Sequence, residues 1–294
     1  MGASPARLRD WPQDFLRMFN GISFDFRSPF QWLRRRRELS ALDPRRHELE
    51  AEFSQFCGHS VQLVSVQAKR SYDEIYYALR DGRRFAVVRV NNPGKSRTGS
   101  VGPNDLAIPL DSRERLNREW TAYQRLFPIG ISPPPIWRTD DAIACGWLEW
   151  PRASEMVIRD RNEFWPMLES ILPAIRQMHQ SGVTHLDLNL GNILAEPKTR
   201  RIAFIDFEFG PVASVTIPQQ RAFDYLRLID ECIRPRRGGK QLLGDMDRLI
   251  RLLQQCVDEE ARDAEIDGRF EKLQRLSAQT ELCQKLRTVF PRFG

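Results

Sequence analysis

The segment GVTHLDLNLGNILAEPKTRRIAFIDFEFG, residues 182–210, decides the fold of this chain. It holds an aspartate in a loop (Asp187), an asparagine five positions later (Asn192), and another aspartate after a short apolar run (Asp206). A lone loop aspartate most often caps a turn. Three polar residues at this spacing, beside a buried-looking strand from Ile202 to Ile205, favour a catalytic site instead.

Ahead of this segment, the sequence predicts a small sheet with one helix. Apolar and polar residues alternate in short runs, and Asp81-Gly82 is a strong hairpin turn. Residues 91–109 are rich in Gly, Pro, Asn and Ser and predict a loop, and a cap at Asp111 or Ser112 predicts a helix ending at Leu126. The predicted strands cover Val61 to Val66, Ile75 to Arg80, Phe85 to Val90 and Ile143 to Trp150.

The rest of the chain is predicted to be mainly helical. From Phe164 to Gln180 apolar residues recur on one helical face, and Gly182 ends that helix. Lys198 to Arg200 is the expected turn between two short strands. Further predicted helices cover Gln219 to Cys232, Gln241 to Val257, Ala264 to Val289 and a stretch near Pro44 to Phe56. The sequence therefore predicts an α+β fold.

The composition is that of a soluble globular protein. Of the 294 residues, 41% are hydrophobic and 29% are charged. No apolar run approaches the ~20 residues that span a bilayer, and no signal-peptide pattern opens the chain. The cysteines are odd in number and never form a CxxC pair, which indicates reduced thiols in the cytoplasm. They are Cys57, Cys145, Cys232, Cys256 and Cys283.

The net charge of +6 raises the question of anionic partners. Basic residues are spread along the chain without a recognised nucleic-acid motif, so we expect no nucleic-acid partner. An N-terminal extension over residues 1–55 combines aromatic and basic residues, most densely over residues 11–37. That combination suits peripheral contact with an anionic membrane surface; the alternative is an extension packed on the main domain.

The residues from Ile175 to Asp206 resemble the protein-kinase-like superfamily. The helix IRQMHQSGV runs into HLDLNLGNIL, and IDFE follows. In detail this is similar to the small-molecule branch: aminoglycoside phosphotransferases, choline kinases and lipopolysaccharide kinases. The resemblance implies a two-lobed protein-kinase-like fold. It has a small antiparallel-sheet N-lobe with one helix over residues 56–150 and a larger, mainly helical C-lobe over residues 151–294.

The resemblance also implies an ATP- and Mg²⁺-dependent phosphotransferase that acts on a hydroxyl. Asp187 would be the catalytic base or hydroxyl-orienting residue, and Asn192 and Asp206 the metal ligands. His185 would support the loop without transferring a proton. Asp224, in RAFDYLRL, resembles the aspartate that hydrogen-bonds the catalytic-loop backbone; the alternative is an ordinary carboxylate in the first turn of a helix.

The nucleotide-binding residues are expected in the first lobe. AVVRV places Arg89 where most kinases have lysine, and an arginine can bridge phosphate and carboxylate. Its expected partner is Glu119 on the lobe's helix, with Glu114 as the alternative. The connector Leu148 to Pro151, with Leu148 and Trp150, would contact the adenine of ATP.

The sequence departs from the family's pattern at three places. The loop over residues 67–73, QAKRSYD, has no glycine, which would let its backbone approach the nucleotide phosphates closely. Glu208 replaces the glycine after Asp-Phe, and Asn189 replaces the lysine usual in Ser/Thr kinases. The last two favour a metabolite, sugar or lipid-linked acceptor over a protein.

The basic composition favours an anionic acceptor. Lipopolysaccharide core sugars are the leading hypothesis, with Lys95, Arg97 and Arg236-Arg237 as candidate contacts. An atypical protein Ser/Thr kinase and a pseudokinase scaffold remain alternatives. The glycine-free loop favours the scaffold, whereas the intact Asp187, Asn192 and Asp206 oppose it. The oligomeric state is left open.

Overall fold

A computed structural model describes residues 44–66, 73–92, 105–268 and 270–294. Residues 11–37, the loop residues 67–72, Lys95 and Arg97 lie outside this part. The chain divides into two compact units, Met1–Glu48 and Leu49–Gly294. Within the first unit, Arg45 and Glu48 form an ion pair at 2.9 Å. The predicted division into an extension and two lobes stays a prediction.

A five-stranded antiparallel sheet lies in the first half of the described chain, with the strand order β1-β2-β3-β6-β5. The hairpin between β2 and β3 turns at Asp81 and Gly82, whose φ angles of 50° and 74° suit the tight turn predicted there. The strands are β1 (Gln62–Val66), β2 (Glu74–Arg80), β3 (Arg83–Val90), β5 (Pro135–Arg138) and β6 (Ala142–Gly146).

A helix over residues 44–57, α1, has the predicted position, and its second half belongs to the core of the sheet. Leu49 and Phe53 are fully buried, and the Phe53 ring stacks on Trp137 at 4.9 Å. Phe56, three residues after Phe53, is 59% exposed. A second helix, α2 (Ser112–Leu126), begins at Asp111, whose carboxylate accepts a hydrogen bond from the Glu114 N–H as predicted.

Two boundaries near the sheet differ from the prediction. Residues Ala107–Pro109 form a short strand, β4, where a loop was expected, because they pair with the distant strand β9 (Phe209–Pro211). The strand expected to continue to Trp150 ends at Gly146, opposite Ala86. Beyond it, Trp147 N–H still donates to Phe85 O, and the chain then leaves the sheet as an extended connector.

The second half of the described chain is mainly helical around one large hydrophobic cluster. Its central helix has the predicted bounds, and the β7–β8 hairpin turns within the predicted segment, at Arg200. The helices are α3 (Ala153–Arg159), α4 (Phe164–Gln180), α5 (Ile217–Cys232), α6 (Gly239–Gly244), α7 (Met246–Cys256), α8 (Glu259–Arg262), α9 (Gln274–Ser277) and α10 (Thr280–Leu286). The hairpin strands are β7 (Ile193–Ala195) and β8 (Ile202–Phe204).

Two long predicted helices are broken. The helix expected from Gln241 to Val257 stops at Gly244 and restarts after Asp245, which caps α7 by accepting the Arg248 N–H. The stretch expected as a helix from Ala264 to Val289 contains a 3-10 turn (Glu271–Leu273) and the two short helices α9 and α10 instead. The Ser277 hydroxyl bonds the carbonyl oxygen of Leu273 at 3.0 Å, and such local hydroxyl bonds weaken a continuous helix.

Two further properties concern membrane-spanning helices and the cysteines. In the described ranges, no helix is both long enough and apolar enough to cross a bilayer. All five cysteines are free thiols, as the sequence predicts.

Candidate active site

The loop that carries Asp187 is fixed by one buried carboxylate. Asp224, on α5, is fully buried and accepts hydrogen bonds from the backbone N–H groups of His185 (2.8 Å) and Leu186 (2.7 Å). A ring nitrogen of His179 lies 3.0 Å from the same side chain. Leu186 has a φ of 65°, which a leucine rarely adopts. Asp224 thus makes the loop contact that the sequence suggested, and it holds a strained backbone.

His185 joins this loop to the segment of Asp206. Its Nδ1 accepts the Asp187 N–H at 3.3 Å, so its Nε2 carries the hydrogen and donates it to Ile205 O at 2.9 Å. Both bonds suit a neutral imidazole, and burial lowers the pKa of His185. The side chain therefore supports the loop, as predicted.

The two loop asparagines are fixed by the backbone. The side-chain amides of Asn189 and Asn192 both donate to the carbonyl oxygen of Asp187, at 2.9 Å and 3.1 Å. Asn189 also accepts the Gly191 N–H. Because the nitrogen of Asn192 faces the protein, its side-chain oxygen is the atom that can bind a cation.

Arg89, on β3, is surrounded by carboxylates. Its guanidinium lies 2.7 Å from Glu119 Oε2, 2.5 Å from Asp206 Oδ1 and 3.1 Å from Glu208 Oε1. Asp73 is farther away, at 3.7 Å. Arg89 and Glu119 therefore form the expected ion pair. Arg89 also pairs with Asp206, one of the two candidate metal ligands.

This cluster carries more carboxylates than cations. Burial opposes the charge of Arg89, but the carboxylates outweigh it and raise the pKa of Arg89 well above its ordinary value. Burial and then the charge of Asp206 raise the pKa of Glu208 to about 9. Burial works against ionisation of Asp206, yet Arg89 lowers the pKa of Asp206 to about 2. Glu208 thus resists ionisation beside Asp206, and a cation bound next to them would favour its charged form.

The donor set fits Mg²⁺. Asp206 follows β8 with a φ of 74°, and together with Asn192 it offers the oxygen ligands that Mg²⁺ prefers. Among the described residues, no three or more His, Cys, Asp or Glu side chains are grouped to hold a metal ion. Mg²⁺ takes few protein ligands and completes its shell with water and phosphate, so one or two oxygen donors can hold it.

Arg89, Asp206 and Glu208 line a cleft of ≈ 700 Å³. Its walls are partly apolar, with Val87, Ile143 and Leu194 among the lining residues. The predicted connector residues Leu148 and Trp150 also line it. Glu114, the alternative partner of Arg89, is exposed in the first turn of α2.

Two cations next to Asp187 were not predicted. Arg227 Nη2 lies 3.3 Å and Lys272 Nζ 3.0 Å from Asp187 Oδ1. Arg227 follows Asp224 by one helical turn on α5, a spacing that could have placed it beside the loop. Lys272 follows Asp187 by 85 residues, and no local pattern marks it.

Comparison with known proteins shows which family and which structures this chain resembles. Residues 160–222 match the model of the lipopolysaccharide kinase (Kdo/WaaP) family, and this segment contains Asp187, Asn192 and Asp206. Three crystal structures of the PknI kinase domain of Mycobacterium tuberculosis, two of them of mutants, are similar at 18% identity and a TM-score of 0.45. Each match covers 76% of this chain. It covers 96% of the PknI domain without a named mutation and 95% of each mutant domain. A search of curated proteins found no match.

The family match over residues 160–222, together with a small antiparallel sheet followed by a mainly helical part, supports a kinase of the protein-kinase-like superfamily.

Proposed function

We propose that this kinase transfers the γ-phosphoryl group of Mg²⁺-ATP to a hydroxyl of a non-protein acceptor. The observation that carries the proposal is the chain of ion pairs from Glu119 through Arg89 to Asp206 inside one cleft. A buried basic residue fixed between two carboxylates is suited to bind phosphate, since a guanidinium offers several N–H donors in one plane.

Each candidate site residue would have its own role in binding ATP and Mg²⁺. Leu148 and Trp150 would contact the adenine, and Arg89 would bind the nucleotide phosphates, with Glu119 fixing its orientation. Asn192 and Asp206 would hold Mg²⁺, which neutralises phosphate charge when bound. Most of the barrier reduction would come from positioning and charge neutralisation.

Asp187 would orient the acceptor hydroxyl and take its proton. Its Oδ1 already binds Arg227 and Lys272, and within the described residues no hydrogen bond to its Oδ2 occurs. The free oxygen lies on a carboxylate that is 22% exposed, so an acceptor can reach it. A general base needs this kind of direct access to the proton that it removes.

The acceptor that we propose is a sugar of the lipopolysaccharide core or a related glycan. Support comes from the description of the family matched over residues 160–222 and from the net charge of +6, which favours an anionic acceptor. Transfer from ATP would then occur in the cytoplasm. Contact with the inner face of the membrane through residues 11–37 would bring a lipid-linked glycan to the site.

Nucleotide binding is the first test. We expect Mg²⁺-ATP at about 100 times its Kd to stabilise the wild type by about 2.7 kcal/mol, seen as a higher unfolding midpoint. Asp206→Asn keeps the size of the side chain but removes its charge, so the Mg²⁺-dependent part of the shift should disappear.

The control for this experiment is Asp247→Asn, which removes a carboxylate from an exposed ion pair with Lys285. It should shift as the wild type does. No shift in the wild type would contradict the proposal and favour a pseudokinase scaffold. Phosphorylation of added protein, with none of added glycan, would favour the atypical protein kinase.

A further inference from the structure

Lys272 reaches the candidate catalytic aspartate from a remote part of the chain. It lies in a short 3-10 turn, Glu271–Leu273, just before α9. Its ammonium lies 3.0 Å from Asp187 Oδ1 and 3.4 Å from the centre of the Phe209 ring. Phe209 follows Asp206 by three residues. The ammonium therefore lies between the loop of Asp187 and the segment of Asp206.

The chemistry proposed above places the transferred group in the same region. An acceptor hydroxyl that hydrogen-bonds Asp187 has its oxygen about 2.7 Å from the carboxylate. In a reactive complex the phosphorus lies about 3 to 3.5 Å from that hydroxyl oxygen. The transferred group is thus about 5 Å from Asp187, and a lysine that already touches Asp187 can reach an oxygen of the group.

The state of Lys272 suits that contact. The lysine is only partly covered, with 25% of its side chain exposed. Burial lowers its pKa, although Asp187 opposes the shift. An ammonium has three N–H donors; here one faces Asp187, a second points to Leu186 O at a long 3.5 Å, and the Phe209 ring lies against the same ammonium. The long contact with Leu186 O can be exchanged for a contact with an incoming anion.

Arg227 is less suited to the same task. Its side chain is 11% exposed and lies within 4.0 Å of Asp230 and Glu231 on its own helix. It is fixed in the helical core and contacts Asp187 from there. Arg227 is therefore a positioning residue for Asp187, whereas Lys272 is more exposed and, among the described residues, is not held by carboxylates of its own helical turn.

We propose that Lys272 is a catalytic residue that binds the transferred phosphoryl group while Asp187 holds the acceptor hydroxyl. The inference rests on the proposed function. It assigns to the segment after α8 a part in phosphoryl transfer, which needs positive charge around the group's equatorial oxygens. The alternative is that Lys272 only attaches this segment to the rest of the protein.

A transition-state analogue distinguishes the two roles without an acceptor. Mg²⁺-ADP with aluminium fluoride imitates the phosphoryl group in the transition state of its transfer. Calorimetry can compare the affinity of this complex with that of Mg²⁺-ADP alone. Lys272→Met keeps the length of the side chain and its contact with Phe209. We expect it to weaken the aluminium fluoride complex about 10- to 100-fold, the effect of one hydrogen bond to a charged group. The affinity for Mg²⁺-ADP alone should stay within about threefold of the wild type.

Two variants control for attachment of the segment. Arg275, three residues after Lys272, pairs with the buried Asp230 at 3.2 Å. Arg275→Met removes an attachment of the same segment and should keep the extra affinity for aluminium fluoride. Lys272→Arg, which keeps the charge, should restore part of it.

Equal analogue affinity in the wild type and Lys272→Met would overturn the role of Lys272 alone. An equal loss in Arg275→Met would also overturn it, because attachment of the segment would then explain the effect. A wild type that binds no Mg²⁺-ADP would overturn the proposed function itself, and the role of Lys272 with it.

Discussion

At the scale of single residues, Asp224 holds the backbone of the loop that carries Asp187 in an unfavourable conformation. It accepts the N–H groups of His185 and Leu186 and contacts His179, so both of its oxygens are used. Leu186, with a φ of 65°, is fully buried. The strain of this conformation, of order 1–3 kcal/mol, persists only because the surrounding bonds impose it.

Replacement of Asp224 tests this role. In Asp224→Asn one oxygen becomes an N–H₂ group that faces another donor in a buried site. We expect a loss of about 2–4 kcal/mol in the free energy of unfolding, measured by urea denaturation. Asp247→Asn, at the exposed pair with Lys285, should leave the midpoint close to that of the wild type. Equal midpoints for the two variants would contradict the role of Asp224.

A site residue could be predicted from sequence when the pattern that marks it lies within one short segment. Asp187, Asn192 and Asp206 lie within 20 positions of one another, and spacing alone marked them. Arg89 and Glu119 needed the family resemblance, because they are separate in sequence from the motif. The carboxylate of Glu208 was noticed only as a departure from the family pattern, yet it contacts Arg89 at 3.1 Å.

At the scale of helices and strands, prediction was best where one face is apolar over several turns. The helix Phe164–Gln180 was predicted to the residue, because its apolar face spans its whole length. The breaks after Gly244 and around Ser277 were missed. Side chains that cap or interrupt a helix there compete with a continuing apolar pattern. The strand Ala107–Pro109 is too short to show alternation, and its partner is about 100 residues away.

Helix α6 offers a matched pair of glycines for a test. A Cβ on Gly239 would lie 2.0 Å from the carbonyl oxygen of Ile233, whereas a Cβ on Gly244 would meet no atom within 4 Å. Gly239→Ala should therefore destabilise the protein by about 2–4 kcal/mol, since backbone must move. Gly244→Ala should be neutral or slightly stabilising. Denaturation midpoints measure both, and similar midpoints for the two variants would show that this helix is placed differently.

At the scale of the whole molecule, the site is assembled from distant parts of the chain. Arg89 on the sheet meets Asp206 across 117 residues, and Lys272 meets Asp187 across 85. The sequence pairs Arg89 with Glu119, and its contact with Asp206 was not part of that prediction. The contact of Lys272 was not predicted either, because the segment around it has no motif and lies in a short 3-10 turn where a long helix was expected. Local spacing thus marks the candidate reacting groups, whereas the cations and carboxylates that contact them needed the tertiary structure.

The central claim is that this site transfers phosphate from ATP to an acceptor hydroxyl through Asp187. The direct measurement follows the γ-phosphate of labelled ATP in the presence of Mg²⁺ and lipopolysaccharide core oligosaccharide, with phosphate esters detected by ³¹P NMR. We expect the wild type to form a sugar phosphate and Asp187→Asn to form it at least about 100-fold more slowly, with nucleotide affinity unchanged. Equal rates for the two proteins, or no transfer by a wild type that binds Mg²⁺-ATP, would contradict the account.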